Sequence, residues 1–171
     1  MKTIKNTIFG LFFILLAGNI SAQHKIGYLE LDSIIKDMPE YADASKILEK
    51  LGSDLSARYN LMLSEYQKKE GECAKQQNNP NISPSIKELC IDELDDQQKR
   101  IQAFQQKAQK DVGDKQTELV APIIDKVKKI IAEIAKEKGY SYVMDSAQSG
   151  FLYSSPTDDL TAEVKKRLNI K

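Results

Sequence analysis

The two cysteines of the chain, Cys73 and Cys90, are the residues whose chemistry the sequence marks most clearly. They lie on either side of a helix-breaking segment, residues 78–84, five residues before it and six after it, and this segment contains two prolines and three asparagines. A chain that reverses there brings the two thiols face to face, so we predict a disulfide near the tip of a helical hairpin. The alternative is a pair of unbonded cysteines that pack as small apolar side chains.

The sequence contains no recognisable catalytic or metal-binding motif. His24 is the only histidine, so a Ser–His–Asp or Cys–His site would depend on one residue close to the expected mature N-terminus. There is no Gly-rich phosphate-binding loop, and two isolated cysteines are neither a zinc motif nor a closely spaced redox pair. We therefore expect no enzyme activity, no cofactor and no metal.

The sequence also contains one acidic cluster, and carboxylates can bind cations. It consists of Asp92, Glu93, Asp95 and Asp96. A cation site is conceivable there, but a solvated helix face is the simpler interpretation.

Residues 1–22 have the features of a cleavable secretory signal. Lys2 and Lys5 precede a ten-residue apolar segment, and small residues follow it up to Ala22. The apolar segment is too short for a membrane span, which needs about 20 residues. We therefore expect residues 23–171 to form an exported chain that acts outside the cytoplasm, with an uncleaved anchor as the alternative.

The charge balance excludes binding driven by bulk charge. The full chain has 25 basic and 25 acidic residues, and without Lys2 and Lys5 its net charge is −2. A nucleic-acid ligand is therefore not expected. Contact with a membrane surface is left open.

Two long helical segments flank the breaker at residues 78–84. The first begins at Pro39, runs to about Gln76 and carries an apolar seam at coiled-coil spacing, from Ala44 to Tyr66. The second carries Cys90 on its own seam and is rich in glutamine from Gln97 to Gln116, where Gly113 should weaken it. A final helical block follows, from about Thr117 to Lys138, and Pro122 should kink it. A helix of 37 residues would be about 55 Å long, so the hairpin must project from any small body.

Short strands are predicted at both ends of the chain, in an α+β fold. They span about 25–30, 140–144 and 150–154, and the last two should pair as a hairpin before a short C-terminal helix. Ser83 or Ser85 should cap the second long helix, and Asp158 or Asp159 the last one. The predicted strands carry more aromatic side chains than a thin sheet in one chain can cover. We therefore expect self-association to bury them. The self-associating part of the chain, an oligomerisation body, should include Ile26, Tyr28, Tyr140, Tyr142, Met144, Phe151 and Tyr153.

The order and spacing of several motifs resemble the Skp/OmpH family of envelope chaperones. The similar segments are residues 25–31 (KIGYLEL), 38–41 (MPEY), 119–120 (LV), 139–145 (GYSYVMD), 152–155 (LYSS) and 159–164 (DLTAEV). The resemblance covers residues 25–168, and the middle of the chain matches only in helical character. One difference is charge, since family members are often basic whereas residues 40–112 here carry 11 basic and 13 acidic side chains.

The resemblance implies a trimer with a shared β-barrel core, formed by residues 23–39 and 119–171. Helical hairpins, residues 40–118 with the tip at 77–85, would surround a cavity that holds unfolded outer-membrane proteins without ATP. Leu61, Met62, Leu63 and Phe104 are the candidate client contacts. The alternative function is a structural or adaptor coiled coil of the envelope with one fixed, folded partner.

Overall fold

The structure is a computed structural model that describes residues 24–170. The predicted signal segment, residues 1–22, lies outside this range. The chain forms β1 (Ile26–Leu29), α1 (Leu31–Lys36), α2 (Pro39–Gln77), α3 (Pro84–Lys138), β2 (Tyr142–Asp145), a 3-10 turn (Pro156–Asp158) and α4 (Thr161–Arg167). The predicted α+β fold, with a long helical hairpin, a small sheet and a short C-terminal helix, is confirmed.

The two long helices begin with proline and are joined by a tight tip. Pro39 and Pro84 each occupy the first turn of a helix, where a missing N–H group has no intrahelical partner to lose. At the tip, the backbone N–H of Asn81 donates to Oδ1 of Asn79 at 2.9 Å. Ser83 is the N-cap residue of α3, but its side chain makes no capping hydrogen bond, so this part of the prediction is wrong. Pro84, the next residue, already restricts the backbone to a helical conformation at the start of α3.

Helix α3 is continuous over 55 residues, without the weak point expected at Gly113. One glycine destabilises a helix by only about 1 kcal/mol, which packing along α2 outweighs. The helix ends at Gly139, whose φ of 72° is left-handed, and the N–H of Tyr140 donates to the carbonyl of Ala135 at 2.9 Å. At 1.5 Å per residue, α2 is about 58 Å long and α3 about 82 Å.

The sheet has two strands, and they pair in parallel. Its register runs from Ile26 opposite Tyr142 to Leu29 opposite Asp145. The prediction of a third strand at 150–154, paired with 140–144 in a hairpin, is wrong for the described residues. Asp145 explains the difference, because its carbonyl accepts the N–H of Ser149 at 3.0 Å and its carboxylate accepts the N–H of Ala147 at 3.2 Å. This turn directs the chain away from β2.

The hydrophobic core lies at one end of the hairpin, where the sheet, α1 and α4 pack on the ends of α2 and α3. Its fully buried side chains include Ile34, Met38, Val127, Ile134, Leu160 and Val164. We call this part the body, and the paired helices between residues 45 and 122 the arm. Within the arm, Cys73 and Cys90 are the only buried hydrophobic residues. The arm therefore has little core of its own.

Polar contacts join α4 to the rest of the body. The guanidinium of Arg167 donates two hydrogen bonds to the Glu137 carboxylate, at 2.7 and 2.6 Å, and holds the pKa of Glu137 below its ordinary value. The Lys165 ammonium lies 2.6 Å from the Asp37 carboxylate. Asp159 accepts the N–H of Thr161 at 2.8 Å, as expected of a residue at the start of this helix.

Candidate functional site

The tip of the arm is joined by a disulfide between Cys73 and Cys90. Their Cα atoms are 5.7 Å apart, within the range that disulfides require. Beyond it, the Gln77 side chain donates to the Lys87 carbonyl at 3.0 Å, and the Lys87 side chain donates to the Gln77 carbonyl at 2.8 Å. These cross-links fix how far each helix runs before the chain reverses.

One side of the sheet is an exposed apolar surface. Side chains alternate across a strand, and the register aligns Ile26 with Tyr142 and Tyr28 with Met144, so these four lie on one side. Leu29 and Val143, on the other side, pack into the core. We call the four residues, with Phe151, the exposed sheet face.

The segment that follows β2 extends this surface. The ring of Phe151 lies edge-on to that of Tyr28, with their centroids 6.4 Å apart. Leu152 and Tyr153 are 103 % and 83 % exposed. Apolar side chains this exposed and this close together are typical of a surface that another chain covers.

Tyr140 differs from the other aromatic residues predicted for self-association. It is buried within its own chain, its hydroxyl donates to Asp158 at 3.1 Å, and the Lys25 ammonium lies 4.0 Å from the centre of its ring. It precedes β2 and belongs to the core, so it is not available to a partner. The sequence showed its aromatic character but not that it would pack in the core of its own chain.

The candidate client-contact residues do not form one cluster. Leu61 is exposed, whereas Met62 and Leu63 are partly buried. Leu63 lines a groove between α2 and α3, and Phe104 lines a second groove nearer the body. The guanidinium of Arg58 lies 5.6 Å from the centre of the Phe104 ring. Tyr59 and Tyr66, which sequence reasoning assigned only to the helical seam, line the same two grooves.

The remaining candidates for chemistry have structural explanations. The Nδ1 atom of His24 lies 3.2 Å from the Ser141 hydroxyl, with no carboxylate or thiol in the contact. In the acidic cluster, Glu93 pairs with Lys69. Asp95 lies 2.6 Å from Lys99, a hydrogen bond that raises the pKa of Lys99. Between residues 24 and 170, no group of three or more potential ligands could hold a metal ion.

A groove of about 430 Å³ opens where the arm meets the body. It is lined mainly by apolar side chains, including Ala44, Ile47 and Ile123. Two of the lining residues form an ion pair, in which a hydrogen bond from the Lys126 ammonium holds the pKa of Glu40 below its ordinary value. The ion pair joins the first turn of α2 to α3.

The described part of the chain, residues 24–170, has no helix with the length and apolar character that crossing a bilayer requires.

Comparison with known proteins gives one family and one fold. The family model described as "Outer membrane protein (OmpH-like)" matches residues 25–168. A crystal structure of a proposed OmpH-like outer membrane chaperone from Caulobacter crescentus CB15 is similar, with a TM-score of 0.69. The two chains are 12 % identical, and the similarity covers 85 % of this chain and 84 % of that one. No curated protein matches the chain.

Proposed function

The chain belongs to the OmpH-like family, and from this premise we propose that it is an ATP-independent chaperone that holds unfolded outer-membrane proteins. The family is in general one of non-enzymatic chaperones. The observation that carries the proposal is the arm, two helices that extend far beyond a small core and bury almost nothing of their own. Such a surface leaves apolar groups free to contact another chain.

Self-association is the first part of the proposal. The exposed sheet face would be covered by other copies of the chain, with residues 23–39 and 119–171 as the oligomerisation body and residues 40–118 as the projecting helical hairpin. Within the described residues β2 pairs only with β1, so its other edge is open to an extended segment of another copy. A homotrimer would place three arms around one cavity.

The assembly mass of the mature protein tests this part. We expect three times the mass of one chain, and we expect Tyr142→Glu to give smaller species because it places a charge in the covered face. Tyr142 is 59 % exposed in the single chain, so the variant should still fold. Ile86→Glu, at an exposed apolar position on the arm, is the matched control and should leave the mass unchanged. A monomeric wild-type protein would contradict the trimer.

The second part of the proposal is how a client is held. An unfolded outer-membrane protein exposes apolar segments that aggregate. Each arm would contact such segments weakly, and three arms acting together would raise the total affinity without any strong single contact. Weak contacts also release the client without nucleotide hydrolysis.

A light-scattering assay tests the holding activity. A denatured β-barrel membrane protein, diluted from urea, should aggregate more slowly in the presence of about equimolar chaperone, without ATP. Failure to protect at about tenfold excess would contradict the proposal. Photo-crosslinking separates the alternative, because an adaptor would capture one folded partner whereas a chaperone should capture many unfolded clients.

We also propose that the protein acts in the periplasm, after removal of residues 1–22. An oxidising compartment would support the Cys73–Cys90 disulfide. N-terminal sequencing of the exported protein should start near Gln23. Recovery of the intact chain in the membrane fraction would instead indicate an anchor.

A further inference from the structure

The arm carries grooves of two chemical kinds, and we propose that the face with uncharged grooves binds extended polypeptide through these apolar grooves and a row of glutamine amides. This inference rests on the proposed function, because it names the surface and the chemistry by which an unfolded client is held. The observation behind it is that two grooves of the arm have no charged lining residue, whereas a third is lined mainly by charged residues.

Two uncharged grooves open on this face of the arm, where α2 packs against α3. The groove nearer the body, of about 320 Å³, is lined by Leu55, Tyr59, Phe104 and Ala108 with two glutamines. The groove nearer the tip, of about 220 Å³, is lined by Leu63, Tyr66 and Ile101 with two more. No lining residue of either groove is charged, although charged residues make up 29 % of the chain.

The four glutamines form a row along α3. Gln98, Gln102, Gln105 and Gln109 follow one another at steps of four, three and four residues, which places them on one face of the helix. All four are exposed. Each amide can both donate and accept hydrogen bonds, as a peptide group does. We call this surface the glutamine face.

A groove on the opposite side of the arm has a charged lining. It has a volume of about 300 Å³ and is lined by Lys69, Glu93, Asp96, Gln97 and Arg100. Asp96 precedes Gln98 by two residues, so the two side chains point about 200° apart around the helix axis. Asp96 and Arg100 therefore lie on the side of α3 opposite Gln98, while the Asp95–Lys99 ion pair borders the row of glutamines near the tip.

The glutamine face fits an unfolded chain better than other ligands. Its grooves accept apolar side chains, and its amides can pair with the exposed N–H and C=O groups of an extended backbone. The interval from Tyr59 to Tyr66 is about 10 Å along the helix, or about three residues of extended chain. A nucleic acid would require several lysines or arginines on the same surface, whereas none lines the two grooves and the single guanidinium of Arg58 is turned to the Phe104 ring.

Neutral amides also predict how binding depends on salt. A fixed positive or negative charge would select clients by their own charge, and salt would screen the contact. Amides and apolar grooves make no such selection. Client affinity should therefore change by less than about threefold between about 0.05 M and about 0.5 M NaCl, whereas contacts through several charges would lose far more.

A pair of alanine variants tests the assignment in the full-length, exported protein. The first is Gln98→Ala, Gln102→Ala, Gln105→Ala and Gln109→Ala combined. The matched control is Asp96→Ala, Arg100→Ala, Lys107→Ala and Asp111→Ala, which removes two exposed ion pairs from the other side of the same helix and leaves the net charge unchanged. Alanine is the best helix former, so both variants should keep the fold, which thermal unfolding and assembly mass can verify.

The readout is the affinity for a fluorescently labelled, urea-denatured β-barrel membrane protein. We expect the glutamine variant to bind about tenfold more weakly, the equivalent of one or two lost hydrogen bonds, and the control to stay within about twofold of wild type. Equal affinities of the two variants would overturn the inference and leave the proposed function standing. Wild-type protein that does not bind the denatured client at all would overturn the proposed function itself. Equally tight binding of the folded form of that client would also contradict the inference.

Discussion

Gly27 in β1 lies directly against the ring of Tyr140. A Cβ atom on Gly27 would lie 3.1 Å from two ring carbons of Tyr140 and 3.0 Å from Cδ1 of Leu160. Tyr140 and Leu160 are buried, so they have little room to move. We expect Gly27→Ala to lower the free energy of unfolding by about 1–2 kcal/mol, through overpacking. Urea unfolding at one fixed protein concentration measures this change.

Gly52→Ala is the matched control for this substitution. Gly52 lies within α2, and no atom comes within 4 Å of a Cβ built on it. Alanine should stabilise the helix there by about 0.5–1 kcal/mol. If Gly27→Ala were also stabilising, the close packing of β1 against Tyr140 would be wrong.

Removal of the disulfide should lower the local stability of the tip of the arm and leave that of the body unchanged. Cys73 and Cys90 are separated by 17 residues, and closing a loop of this size stabilises by about 3 kcal/mol in the entropic account. We expect Cys73→Ser combined with Cys90→Ser to increase amide hydrogen exchange on both sides of the tip, because no other buried side chain holds the helices there. Wild-type protein treated with a reductant should give the same exchange pattern. Unchanged exchange in both samples would show that the helices pair without the disulfide.

The ion pair between Lys126 and Glu40 should make stability depend on pH in the acid range. The hydrogen bond from Lys126 holds the folded-state pKa of Glu40 below its ordinary value of 4.5. The pair therefore contributes stability above that value and loses it as the pH falls through the lower folded-state pKa. We expect Glu40→Gln to destabilise by less than about 1 kcal/mol at neutral pH, because both side chains are about half exposed, and to make no difference once the pH is below the folded-state pKa of Glu40.

Glu49→Gln controls for the general effect of removing a carboxylate from α2. Glu49 is exposed and forms no ion pair within residues 24–170. Denaturant unfolding of both variants at several pH values should show the difference for Glu40 alone. A Glu40→Gln effect that persists in acid would mean that the side chain acts through packing.

Gln97 carries a polar atom that the seam of the arm leaves without a partner. Its Oε1 atom is buried and accepts no hydrogen bond within the described chain. Gln97→Met keeps a flexible, helix-favouring side chain and removes this atom, so we expect a gain of about 1 kcal/mol in stability. Gln106→Met, at an exposed position of α3, should change stability little. A destabilised Gln97→Met variant would indicate that an ordered water satisfies the amide.

Regular patterns in the sequence were enough to predict most of the arm. Pro39 and the seam from Ala44 onwards predict the start and course of α2, and residues 78–84 predict the reversal of the chain. These signals are local, because helix propensity and breakers act within one or two turns. Even so, α3 runs unbroken through Gly113, because the cost of one glycine, about 1 kcal/mol, is small in a helix of 55 residues.

Strand pairing in the body was harder to predict, because partners far apart in the chain decide it. Residues 151–154 have the composition of a strand, but the turn at Asp145 directs them away from β2. The parallel pairing of β1 with β2 depends on where α3 returns the chain. For the same reason the burial of Tyr140 could not be foreseen, whereas the exposure of Tyr142 and Phe151 agrees with their assignment to a surface for other copies.

The pairing of Ile26 with Tyr142 also constrains the order in which the protein can fold. The whole of α2 and α3 lies between these residues, so a bare chain would lose much entropy in bringing β1 to β2. Helix formation and the pairing of α2 with α3 are local by comparison and carry the two ends toward each other. We therefore expect the arm to form first and the sheet last. Pulse-labelling hydrogen exchange during refolding should show protection in α2 and α3 before β2, and the body could not complete its core until nearly all of the chain had been exported.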